Sequence, residues 1–136
     1  MAIAKTVQFL NVDLLIGGRF NRGPLVKVLG DELFALDEHA PVDGVDSMVI
    51  EVNSPDLDLT ATIDRLIKWV KGLPGPARRV WAKATLRVFD IGISAGRGPH
   101  ATTWSLPPKQ VAAIARLGAE IRITVYGAER GGRRRR

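Results

Sequence analysis

Residues 58–71, DLTATIDRLIKWVK, carry the clearest helical pattern in the chain, and the fold is read outward from them. Leu59, Ile63, Leu66, Ile67 and Val70 recur at spacings of four, three, one and three, which puts them on one stripe of an α-helix. Asp64, Arg65, Lys68 and Lys71 occupy the other face. Asp58 suits the N-cap, where its carboxylate can accept from a free backbone N–H. Lys71 falls in the last turn, where a cation complements the helix dipole. Gly72, Pro74, Gly75 and Pro76 then stop the helix. A helix with one apolar stripe must lie on something apolar, and its flanks read as strands.

Upstream, residues 5–16 form a first strand, in which Leu10, Val12, Leu14 and Ile16 alternate with Asn11 and Asp13. Gly17-Gly18 ends it. Pro24 marks the first turn of a short helix through Leu25, Val26, Val28 and Leu29 to Gly30. Short strands are expected at 33–36 and 48–52, separated by a polar loop at 37–44. Downstream, residues 77–84 read as a helix carrying Val80 and Trp81 inward. Residues 85–94 are a long strand with Phe89, Ile91 and Ile93 on one face and Leu86, Val88 and Asp90 on the other. A last helix spans 105–117 with Val111, Ile114, Ala115 and Leu117 as its stripe and Gly118 just past its end. The strand 120–126 alternates Ile121, Ile123 and Val125 with Arg122, Thr124 and Tyr126.

The order β-α-β-β-α-(α)-β-α-β predicts an α+β fold. We expect a mostly antiparallel sheet of about five strands with helices on one face. Its first elements follow a ferredoxin-like order, and an extra α-β unit completes it. At 136 residues the chain has the size of one domain, taken as 1–129, followed by an arginine-rich tail at 130–136. There is no cysteine, so disulfides and thiolate metal sites are excluded and a reducing, cytoplasmic setting is the default. The apolar start is interrupted by Gln8, Asn11 and Asp13, which fits neither a signal peptide nor a membrane span.

Charge is sorted along the chain. The tail supplies Arg130, Arg133, Arg134, Arg135 and Arg136, and without it the body is nearly neutral. From Val28 to Asp64 there are ten acidic residues and no basic one. Asp31, Glu32, Asp37, Glu38, Asp43 and Asp46 from this stretch, with Trp69 beside the helical stripe, are the candidate protein-contact residues. Either the two halves interleave their charges in space, or one face is acidic and binds a cationic partner.

Catalytic patterns are weak. Gly96-Arg-Gly98-Pro-His-Ala101 fits G-x-G-x-x-A, but that fingerprint must open a helix onto a pyrophosphate, and Pro99 with a distant next helix argues for an ordinary loop. Asp90, on an apolar strand face, could be an acid of raised pKa; pairing with Arg87 or Arg97 is the simpler reading. His39 stands among Asp37, Glu38 and Asp43, a conceivable weak metal site that an acidic solvated loop explains as well. His100 could orient against Asp90 in a pocket, although no nucleophile is recognisable. No cofactor, metal site or catalytic residue is assigned.

Residues 59–126 resemble a small bacterial domain family of unknown function. The likeness rests on Leu-Ile-Lys-Trp-Val in the helix, Arg-Val-Phe-Asp-Ile-Gly-Ile in the long strand, and Trp-Ser-Leu-Pro-Pro-Lys-Gln-Val with Leu-Gly-Ala-Glu-Ile-Arg-Ile-Thr-Val-Tyr at the end. Such families are similar in size and layout to immunity proteins encoded beside bacterial toxins. The resemblance implies a binding role and no site residue. The leading expectation is a non-enzymatic protein-binding domain, in one version an immunity-like inhibitor using an acidic surface. The alternative is a nucleic-acid-binding accessory protein acting through the arginine tail. The protein partner and the oligomeric state have no signature in the sequence, and no membrane contact is expected.

Overall fold

The computed structural model describes residues 6–36, 42–54 and 56–127. Nine elements follow in order: β1 (Gln8–Gly18), α1 (Gly23–Val26), β2 (Leu33–Leu36), β3 (Asp46–Val52), α2 (Leu59–Lys71), α3 (Gly75–Lys83), β4 (Leu86–Ser94), α4 (Pro108–Arg116) and β5 (Glu120–Tyr126). They make an α+β fold around one five-stranded sheet of order β2-β3-β1-β4-β5. The pairs β2–β3, β3–β1 and β1–β4 are antiparallel, and β4–β5 is parallel. The first four strands therefore take the ferredoxin-like arrangement. The β4–α4–β5 crossover, the connection that parallel neighbours require, appends the fifth.

The apolar alternation dictates which face is covered. Val12, Leu14 and Ile16 of β1 stand beside Met48 and Ile50 of β3 and beside Phe89 and Ile91 of β4, and all seven are buried. α2 lies across them with Leu59, Ile63, Leu66, Ile67 and Val70 turned inward. Each such aliphatic contributes about 1.5–3 kcal/mol of burial. Asp58 caps the helix as its sequence implies, accepting from the Ala61 N–H at 2.9 Å. α3 adds Ala77, Val80 and Trp81 to the same core.

Two expectations about α4 are corrected. It begins at Pro108 rather than at 105, because a residue before proline is driven out of the helical region and Leu106 and Pro107 each precede one. Its buried face is Gln110 and Ile114, whereas Val111 is 44% exposed and Ala115 is also on the surface. Gln110 takes the inward place because its Nε2 donates to the Thr60 carbonyl at 2.8 Å and to Asp64 Oδ1 at 2.7 Å, tying α4 to α2. Gly118, as expected, ends the helix with a left-handed φ of 76°. Among the described residues no helix is long and apolar enough to cross a membrane.

Candidate functional site

The acidic stretch does not assemble into one face. Asp46 is 2% exposed: Arg22 grips it with Nε at 3.0 Å and Nη2 at 2.5 Å, and the Ser47 N–H donates at 2.9 Å. Burial alone would raise its carboxyl, but the Arg22 and Ser47 hydrogen bonds and the Arg22 charge outweigh that and lower it. Asp46 is thus a structural ion and offers no surface to a partner. Glu32 is exposed and pairs with Arg65 at 3.1 Å. Asp43, at a left-handed turn position, has its carbonyl held by Arg19 at 3.0 Å. Asp31, Glu32 and Trp69 do come together, lining a shallow cleft of about 380 Å³ with Arg65 and Lys68. That cleft is of mixed charge, and the Trp69 indole N–H is spent on the Val28 carbonyl at 2.8 Å. Asp37, Glu38, His39 and Arg130, Arg133, Arg134, Arg135 and Arg136 lie outside the described residues.

The glycine pattern at 96–101 does not open a helix: residues 101–107 are irregular and α4 starts only at Pro108, so the G-x-G-x-x-A pattern is not a phosphate cradle. Gly96 answers a packing need instead: a Cβ there would stand 2.3 Å from the Thr6 backbone. Asp90 accepts from Thr124 Oγ1 at 2.7 Å rather than from Arg87 or Arg97. Arg87 donates to the carbonyls of Trp81 and Gly118 and lies over the Trp81 ring. His100 is exposed on its loop.

The helix-free face of the sheet holds a feature that strand-by-strand reading misses. Asp13 sits directly opposite Asp90, and Glu51 follows one step beyond the Leu14–Ile50 pair on the other side. Three carboxyls from three strands therefore form a row. Burial, a hydrogen bond shared with Glu51, and the charges of Glu51 and Asp90 push Asp13 up to about 7. Its Oδ1 is shut from solvent without a partner, while Asn11 Nδ2 donates to Glu51 at 2.5 Å. The carboxyl whose pKa is raised is thus Asp13, on the strand beside Asp90. The usable signal was the strand order, which sets the polar residues of the first strand between those of the third and fourth. No group of three His, Cys, Asp or Glu side chains among the described residues is placed to hold a metal ion.

A row of exposed apolar side chains lies at the opposite end of the sheet from β2. Among the described residues β5 pairs with β4 only, so no described strand meets its outer row of N–H and C=O groups. Ile121, Ile123 and Val125 register with Phe89, Ile91 and Ile93 and so point to the helical side. They are nevertheless 37%, 62% and 60% exposed. Alternation told which side they face. It could not tell that α4 stops short of covering them.

No family model, no curated protein and no solved structure matches this chain.

Proposed function

We infer that this chain is a non-enzymatic, cytoplasmic protein-binding domain, and that it binds by taking an extended segment of a partner onto the free edge of β5. The observation that carries this reading is the coincidence of an open backbone edge with the exposed apolar row Ile121, Ile123 and Val125. Edge strands are ordinarily blunted by prolines, bulges, inward charges or a covering loop. β5 has no proline and pairs with β4 in unbroken register, and the ion pair it carries, Arg122 to Glu120 at 3.4 Å, lies on its polar face. An added strand would gain main-chain hydrogen bonds for affinity and side-chain contacts at every second residue for selectivity.

The acidic residues named from the sequence serve this reading less well, since Asp46 is buried and Glu32 is paired within the domain. The test is affinity capture from native lysate with the wild-type protein and with Ile123→Lys/Val125→Lys. Both positions are exposed, so melting temperature should change by only a few degrees. Loss of the captured protein supports the edge. Capture that survives in a folded double variant refutes it, and an Asp31→Lys/Glu32→Lys variant then reports on the cleft beside Trp69.

A further inference from the structure

Pairing between β1 and β3 runs from Gly18–Asp46 to Leu14–Ile50 and ends there, although β1 begins at Gln8 and β3 continues to Val52. On its other side β1 stays paired with β4 down to Gln8, with a shift of register between Phe9 and Asn11 that leaves Leu10 without a counterpart. A bulge bends the strand that carries it, and here the bend accompanies the parting of β1 from β3. Between the two strands lies a cleft of about 320 Å³. Val12, Val52 and, from α2, Thr62 line it on the helical side, and Asn11, Glu51 and Phe34 on the helix-free side. Phe9, Leu10 and Leu57 complete its apolar walls, and Asn53 and Ser54 add neutral polar groups. The lining holds one acidic side chain, Glu51, and no basic one. Beyond Glu51 the row continues with Asp13 on β1 and Asp90 on β4. The first cation along it is Arg122 on β5, in register with Asp90 and already paired with Glu120. Acidic groups therefore gather at one wall of a cleft that is otherwise apolar.

We propose that this cleft binds a small organic cation: a primary ammonium carried on a short aromatic or aliphatic body. An ammonium has three donors and no acceptor, which suits the Glu51 carboxylate beside the side-chain oxygens of Asn53 and Ser54. The body lies against Phe9, Leu10 and Phe34, and an aromatic face attracts a cation as well. The volume is that of a pocket for a small ligand. An anion meets a row of carboxyls and no base in the lining, and a neutral ligand gains nothing from that row. The site lies on the β1–β3 side of the sheet, away from β5, so it stands independently of strand addition.

The row also sets a pH response. Burial, the hydrogen bond and charge of Glu51, and the charge of Asp90 push the Asp13 carboxyl up to about 7. The charged groups on its face are Glu51 from β3, Asp90 from β4 and, one strand farther, Arg122 with Glu120 from β5. A cation beside Glu51 offsets the neighbouring negative charge, so its arrival favours release of the Asp13 proton. Affinity for the cation therefore rises with pH through about 7.

The test is titration of the full-length ¹⁵N-labelled protein with 2-phenylethylamine, 2-phenylethanol and phenylacetate, followed at the amides of residues 9–13 and 51–54. The amine should give saturable shifts confined to these amides and bind about tenfold tighter than the alcohol, the worth of one charge-assisted hydrogen bond. It should bind more tightly at pH 8 than at pH 6, and phenylacetate should not bind. Glu51→Gln should remove the preference for the amine. Asp13→Asn should keep binding and lose its pH dependence. Leu10→Trp, which fills the cleft from a position 47% exposed, should block both amine and alcohol. Ile123→Lys/Val125→Lys should change nothing, which separates failure here from failure at β5. Equal binding of amine and alcohol overturns the cationic preference, and the absence of saturable shifts at these amides overturns the site. Amine binding that survives in folded Glu51→Gln and Leu10→Trp proteins also overturns it, and a pH dependence that persists in Asp13→Asn overturns the role of Asp13. A peptide with a single lysine that binds more tightly than the amine assigns the cleft to a side chain of another protein and overturns the small-ligand reading.

Discussion

Replacing Asp13 with Asn should stabilise the protein at pH 8 and leave it nearly unchanged at pH 4. The Asp13 carboxyl is raised from 3.8 to about 7 by burial and by the neighbouring carboxyls of Glu51 and Asp90. The native state thus keeps a proton that the unfolded chain has already released. Between about pH 4 and pH 7 the native state binds more protons than the unfolded one, so stability falls as pH rises through that window and stays low above it. A shift of roughly three units corresponds to about 4 kcal/mol at full strength. Asp13 is only partly shut from solvent, and screening reduces this to about 2 kcal/mol. Asparagine is neutral at every pH, has the same shape, and can donate to Glu51 through its amide. Thermal and urea unfolding of both proteins from pH 4.5 to pH 8 is the assay. The variant should gain about 2 kcal/mol at pH 8, roughly 6 °C in melting temperature for a chain of this size, and almost nothing at pH 4.5. A gap that is constant with pH, or a variant less stable than wild type at pH 8, would refute the reasoning. So would a second variant, Glu51→Gln, that left the wild-type pH profile unchanged.

Other perturbations test the frame around that row. Arg22→Ala strands the buried Asp46 carboxylate and should cost about 3–5 kcal/mol in urea unfolding at pH 7. Because Asp46 is lowered in the folded state, the stability it brings is present above about pH 4 and lost as pH falls further, so the penalty of Arg22→Ala should shrink in acid. Gly118→Ala forces an L-residue into a left-handed turn at φ 76° and sets its Cβ 3.1 Å from Arg87 Nη2. It should cost about 1–2 kcal/mol, seen as a lower denaturant midpoint at an unchanged slope.

What was legible in the sequence was the periodicity of single elements. Residues 58–71 announced a capped helix because the cap, the stripe and the terminator are local, and Asp58 does cap α2. The ferredoxin-like order was legible because it depends only on the succession of strands and helices. Gln110 was not, since a polar residue is inward only when the partner's carbonyl and carboxylate, here from Thr60 and Asp64, happen to face it. Nor was the carboxyl row: Asp13, Glu51 and Asp90 are far apart in sequence, Asp13 and Glu51 look like ordinary polar positions of alternating strands, and Asp90, conspicuous on its apolar strand face, does not reveal the two carboxyls beside it. The exposure of Ile123 and Val125 was hidden for a related reason. Alternation reports which way a side chain points, and the reach of the covering helix decides whether anything meets it.

The position of β1 has a consequence for how the protein is made. Of the five strands of this sheet, the first to be translated is its centre, with β3 and β4 on either side. Its apolar row Val12, Leu14 and Ile16 cannot be fully paired until β4 has been translated, which at typical rates is about 4–15 s later. During that interval β1 has at most its β3 neighbour, and its other edge stays open. An exposed strand edge of this kind is a site for pairing with another chain, so the interval before β4 appears is when the nascent protein is most prone to aggregate.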